Sequence, residues 1–326
     1  SGTVVINNFG TIQGGDDAIY LDADGGFITN DGTIRGVTGI QSDGIEGGDG
    51  VRVINNGSIS GAAGIFVGDE LNLTNNFGST ITGNADAGVD ALNGAFIDNF
   101  GTISSAGIDA IIVGDDAEIF NGTALSAIGG GTISGATNGI FAGSNLSLVN
   151  ENLAVIEGLN GIGVDAGTNA EIFNDPGALI TGTLGGVSVG DDSYVENGGI
   201  IRGNAGDGVT LGSNGVVLNS GTIEGTTGII AFNGSSITNS GSISSTAIGG
   251  NAFSGGIGND ALFLNAGSSV SGNVSGGGGT NAITFNGGLT SPKSLANTIS
   301  GSVSNFSTIT KTGGGVTLIG DVSDVG

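Results

Sequence analysis

One short phrase recurs along the chain: an apolar residue, any residue, Asn, a small turn, then Thr or Ser followed by Ile and usually Gly. It reads INNFGTIQG from Ile6, ITNDGTIRG from Ile28, VINNGSISG from Val53 and IDNFGTISS from Ile97. It returns as VENGGIIRG from Val195, VLNSGTIEG from Val217 and ITNSGSISS from Ile237. Looser copies stand at Leu73, Ile119, Leu148, Ile172 and Phe263. The marked residues are Asn8, Asn30, Asn55, Asn75, Asn99, Asn121, Asn150, Asn174, Asn197, Asn219, Asn239 and Asn265, with Asn76 an equal choice in the fourth copy. They space the copies about 23 residues apart, within the range of solenoid repeats.

Between copies lies a second phrase, GIFVG from Gly64, GIFAG from Gly139, GVSVG from Gly186 and GVTLG from Gly208. Each repeat thus holds three short segments of alternating hydrophobicity, separated by Gly or polar turns. Alternation over four or five residues specifies strands, and no stretch keeps a 3.6-residue period. Three strands in about 23 residues describe one triangular coil, and stacked coils pair strand on strand at ~4.8 Å. The expected fold is all-β: a single-stranded parallel β-helix of about 12 or more coils. Residues 1–270 form its regular part and residues 271–326 less regular coils.

Period 2 decides what points inward. In Leu71-Leu73-Asn75, Leu146-Leu148-Asn150 and Val217-Asn219 the Asn shares its parity with the core. An inward amide must be hydrogen-bonded, and stacked Asn side chains can bond one another and the corner backbone. This predicts an asparagine ladder; the competing reading leaves the same residues as solvent-facing turn Asn. Ile12, Ile34, Ile59, Ile103, Ile133, Ile201, Ile223 and Ile243 are expected to stack as a core column.

Composition agrees. There are 71 Gly and two Pro, yet mean hydropathy is +0.27, so the Gly serve corners rather than disorder. Thirty acidic and five basic residues give a net charge of −25, which repels nucleic acid and anionic lipid. No apolar run is long enough to span a bilayer. With no basic, apolar leader in view, any signal peptide is expected to lie outside this chain. The absence of Cys and His excludes disulfides and the common nucleophilic triads.

From Asn273 the pattern changes, and KTGGGVTLIG from Lys311 resembles the Lys-Thr-Gly-x-Gly…Leu-x-Gly repeat of autotransporter passenger domains. The preceding coils resemble that family by type of repeat, so the resemblance covers essentially the whole chain. It implies a right-handed β-helix, exported and either displayed on the surface of a Gram-negative cell or released. Membrane attachment would come only through a C-terminal β-barrel absent from this chain. It also implies an adhesin or stalk, without catalysis. Its partners would be a host cell-surface or matrix protein, a glycan, or sister copies. A released effector or receptor ligand, and a polysaccharide-active β-helix enzyme, are the alternatives.

Four groups of residues are candidates for chemistry. The acidic doublets Asp16-Asp17, Asp69-Glu70, Asp115-Asp116 and Asp191-Asp192 could pair for glycoside hydrolysis. Other coils, however, carry Ser144-Asn145, Thr168-Asn169 and Ser213-Asn214 where the last three doublets fall, an interchange typical of turns. The five cations are Arg35, Arg52, Arg202, Lys293 and Lys311, and Glu224 stands one coil on from Arg202 as a surface partner. GGIGNDAL from Gly255 matches the repeats-in-toxin calcium phrase, making Asn259 and Asp260 a weak Ca²⁺ candidate, with no other cofactor expected. The outward position before the ladder Asn is apolar in three successive coils, Phe120, Val149 and Phe173, with Phe141 in the same stretch. Such a patch marks either contact with a partner or sugar, or a cover made by residues 123–130.

Overall fold

The computed structural model describes residues 4–37, 39, 41–122, 130–287, 297–313 and 315–325. Three 14-stranded sheets run the length of the chain, each taking every third strand in order. The first sheet begins with Val4–Asn8, the second with Thr11–Gly14 and the third with Ile19–Leu21. Every pairing is parallel, as between Leu73 and Ile97 in the first sheet or Ile81 and Ile103 in the second. The fold is therefore a β-solenoid of about 14 turns with three strands per coil, as the repeat predicts. Among the described residues no helix is long and apolar enough to cross a membrane.

Strict alternation drives each strand's inner residues into a continuous core. On the second sheet Ile34, Ile59, Ile81, Ile103, Ile133, Ile156, Ile180, Ile201, Ile223 and Ile243 are fully buried. They stack in register, Ile103 lying over Ile133 and Ile201 over Ile223. Ile12, in the first coil, is only partly buried against this core. Each buried Ile contributes about 1.5–3 kcal/mol.

Close stacking dictates the corner glycines. A Cβ on Gly57, at the corner after ladder residue Asn55, would run into the carbonyl oxygen of Gly32 one coil below. Other corners tolerate side chains but need left-handed backbone. Glu70, Asp116, Asn145, Asn169, Asp192 and Asn214 have φ between 56° and 61°, at the corner where other coils place Gly25, Gly50 and Gly94. Asn and Asp adopt that conformation at the lowest cost among residues with a Cβ.

The coils after residue 270 continue in the same three sheets, with a register shift where Asn251–Ser254 meets Asn273–Ser275. The core changes character slightly earlier. Phe253, Leu264, Phe285 and Phe306 are buried there, and the Asn column ends.

Candidate binding surface

The inner edge of the first sheet carries the asparagine ladder. Asn30, Asn55, Asn75, Asn99, Asn121, Asn150, Asn174, Asn197, Asn219 and Asn239 are buried, and Asn8 nearly so. Asn8 Nδ2 donates to Asn30 Oδ1 at 2.7 Å, and Asn30 donates to Asn55 at 2.8 Å. The relay continues in the same sense through Asn121 to Asn150 at 2.9 Å and Asn219 to Asn239 at 2.8 Å. The second N–H of each amide reaches a second-sheet carbonyl of the next coil, as Asn99 does to Thr132 O at 3.1 Å. From Asn8 to Asn219 both amide protons are thus used, which is what allows a polar column inside an apolar rod.

Asn265 does not belong to the ladder. The strand Ala261–Asn265 buries Leu262 and Leu264, so Leu264 takes the place over Asn239. Asn265 turns outward, where its Nδ2 donates to Ser240 Oγ at 2.9 Å. Alternation counted from Leu262 carries this signal; spacing counted between Asn residues misses it. Two further buried amides escaped that spacing. Asn281 accepts the Asp260 N–H at 2.8 Å, and Asn297 Nδ2 donates to Leu264 O at 2.9 Å, just where the ladder stops.

The acidic doublets sit at corners as hydrogen-bond acceptors. Asp69 Oδ1 accepts the Asn93 N–H at 2.8 Å, and Asp115 and Asp191 accept those of Ser144 and Ser213 at 2.7 and 2.6 Å. At another corner Asp17 accepts from Asp43 at 2.9 Å, and Asp43 from Ala63 at 2.8 Å. In the calcium-like phrase, Asp260 accepts the Ser235 and Gly256 N–H groups at 2.9 and 3.2 Å. Asn259 Oδ1 accepts Thr280 N–H at 2.7 Å. Apart from the Gly256–Asp260 bond within one turn, these oxygens serve the backbone of neighbouring coils. Arg202 pairs with Glu224 on the second sheet.

On the third sheet Asp16, Asp17, Gln41, Asp43, Glu46, Phe66 and Asp86 line a depression of about 330 Å³. Asp17, Asp43 and Glu46 each bring an oxygen within 4.8 Å of the others, making them the set among the described residues that could hold a metal ion. Burial, then a hydrogen bond to Asp17 and the neighbouring charges, pushes Glu46 up to about 7. Burial raises Asp43 against the Ala63 N–H bond, and burial with the charges of Asp86 and Asp43 pushes Asp90 up to about 6. Neither Arg35 nor Arg202 lines this depression. Its members lie in successive coils, so no linear motif marks them.

The outer face of the first sheet holds the apolar patch. Phe120, Val149 and Phe173 occupy one register position in three successive strands, half-buried, preceded by Asp98 and followed by Glu196 and Leu218. The adjoining outward column adds Phe96, whose ring centroid lies 5.9 Å from that of Phe120, and Tyr194, 5.7 Å from Phe173. Phe141 is not part of this surface. It belongs to the third strand of its coil, pairs with Ile112 and Asp165, and lies 45% exposed on another face of the rod. The expected cover falls on residues 123–130, of which 123–129 lie outside the described residues.

Beyond Phe173 the patch opens into two adjoining depressions of about 120 and 160 Å³. Phe173, Asp175, Pro176, Glu196 and Ser220 line the first, and Glu196, Leu218, Ser220, Thr238 and Ser240 the second. Tyr194 donates its hydroxyl to Glu196 Oε2 at 2.7 Å, and burial together with that carboxylate pushes the phenol up to about 12. Burial, then the charge of Glu196, raises Asp175. No Lys or Arg occurs anywhere between Arg52 and Arg202. In comparisons with family models, curated proteins and solved structures, nothing matches this chain.

Proposed function

We propose that this chain is a passenger domain of the autotransporter type, displayed on or released from a Gram-negative cell, and that it works as an adhesive stalk. The observation that carries this reading is the unbroken stack of 14 strands in each of three sheets. At ~4.8 Å per coil it makes a rod roughly 60 Å long. The ladder and the Ile column hold the interior in one register, so the coils can bear outward side chains at fixed spacing. Fixed, repeated contacts suit multivalent attachment, where individually weak interactions add through effective concentration.

The test is to display the rod on a non-adherent bacterium and measure cell aggregation and attachment to matrix-coated surfaces. Each assay is run with Ca²⁺ and with a chelator. Attachment above that of cells displaying an unrelated β-rod supports the stalk reading. Attachment no greater than that control, in every assay, sinks it.

A further inference from the structure

We propose that the first-sheet groove around Phe173, Glu196 and Leu218 docks a basic polypeptide segment, whose Lys or Arg side chains lay their aliphatic stems on the apolar wall and their charges on Glu171 and Glu196. The inference deepens the adhesive-stalk reading and rests on it.

Three observations select this occupant. The wall mixes apolar and polar surface: half-buried Phe173 and exposed Pro176 and Leu218 stand beside the exposed Glu196. Long basic side chains match such a surface because their stems are apolar and their heads are charged. The charge is also one-sided. Asp98, Glu118, Glu171 and Glu196 project from four strands of this face, and residues 53–201 contain no Lys or Arg to neutralise them. A second copy of this chain, at net charge −25, would bring like charges together. Finally, the aromatic rings lean on each other at 50–52° between planes and are half-buried, so they do not present the flat open faces on which a sugar ring stacks.

Geometry adds a spacing rule. Glu118 and Glu171 stand at the same strand position two coils apart, about 10 Å at the usual coil spacing. A segment in the polyproline II conformation turns the same face to the surface every third residue and advances ~3.1 Å per residue, so basic residues three apart meet carboxylates two coils apart. Desolvation of the half-buried Asp175 beside Glu196 adds to the advantage of a cationic occupant.

The experiment is fluorescence anisotropy of the whole chain with a labelled nonapeptide bearing Arg at every third position and Leu and Ser between. A scrambled peptide with its Arg clustered, and a neutral chitin hexasaccharide, are the comparison probes. The expected result is saturable binding of the spaced peptide, weakened at least tenfold in E171Q/E196Q and in F173S/L218S. It should change less than twofold in D31N/E157Q, which removes the same charge from a corner six coils away and from the second sheet. Circular dichroism of each variant must match the parent. Equal loss in D31N/E157Q, no loss in the two groove variants, or hexasaccharide binding to the groove in place of the peptide overturns the proposal. Displayed rods that adhere although the peptide does not bind would overturn this partner while leaving the stalk reading in place. Failure of adhesion itself would remove both.

Discussion

Asn174→Ala is the sharpest probe of what holds this rod together. Asn174 is 1% exposed; it accepts Asn150 Nδ2 at 2.8 Å and donates to Asn197 Oδ1 at 2.8 Å and to Ile200 O at 3.1 Å. Truncation orphans one amide proton of Asn150 and the side-chain oxygen of Asn197, both buried. At about 1–3 kcal/mol for each unsatisfied group, the cost is about 2–6 kcal/mol. Neighbouring amides polarise one another along the relay, which favours the upper part of that range. Because a solenoid coil interacts chiefly with its neighbours, the damage is local. Hydrogen exchange is therefore the assay. Amides of Ser147–Asn150, Glu171–Asn174 and Tyr194–Asn197 should exchange about 25-fold to 10⁴-fold faster, at one decade per 1.4 kcal/mol, while the terminal coils keep their protection. Asn265→Ala, which removes only peripheral bonds to Ser240 and Asn286, should stay within about 0.5 kcal/mol of the parent. Equal effects from the two substitutions would refute the ladder as a stabilising element.

Gly10 and Gly57 hold the same place in the repeat, but a Cβ on Gly10 meets nothing within 4 Å whereas one on Gly57 meets the Gly32 carbonyl. Gly57→Ala should cost about 1–3 kcal/mol and Gly10→Ala almost nothing, both read from thermal melting; equal melting points would contradict the stacking argument. Glu46 titrates at about 7 in the folded chain against an ordinary 4.5. The folded state therefore binds the extra proton, and stability should rise as pH falls from about 7 and level off below 4.5. Glu46→Gln should raise the melting temperature at pH 8 and flatten that rise, and an unchanged slope would refute the assignment. A double-mutant cycle on Arg202 and Glu224, whose side chains are 42% and 25% exposed, should give about 0.2–1 kcal/mol of coupling that fades with salt. Coupling several times larger, or insensitive to salt, would contradict a solvent-screened pair.

The periodicity of the chain determined the fold. Where one pattern of apolar alternation returns every coil, burial leaves a single solution, and the parity of Asn55 or Asn219 with the core places their amides inside. The pattern also marked Phe120, Val149 and Phe173 as neighbours, because equal position in the repeat means adjacency in the sheet. Only the tertiary structure decided matters that turn on corners and on contacts across coils. Asn265 left the ladder because alternation within its own strand, not distance from Asn239, sets direction. Phe141 went to another face because it lies on the third strand of its coil, and a corner separates that strand from the first sheet, which carries the patch. The Asp17, Asp43 and Glu46 cluster and the groove beside Phe173 are assembled from residues roughly one coil apart, with no spacing of their own in the sequence. Linear order carries which residues face in; the stacking of coils decides which outward residues share a surface, since side chains on one face of neighbouring coils meet although some two dozen residues of chain lie between them.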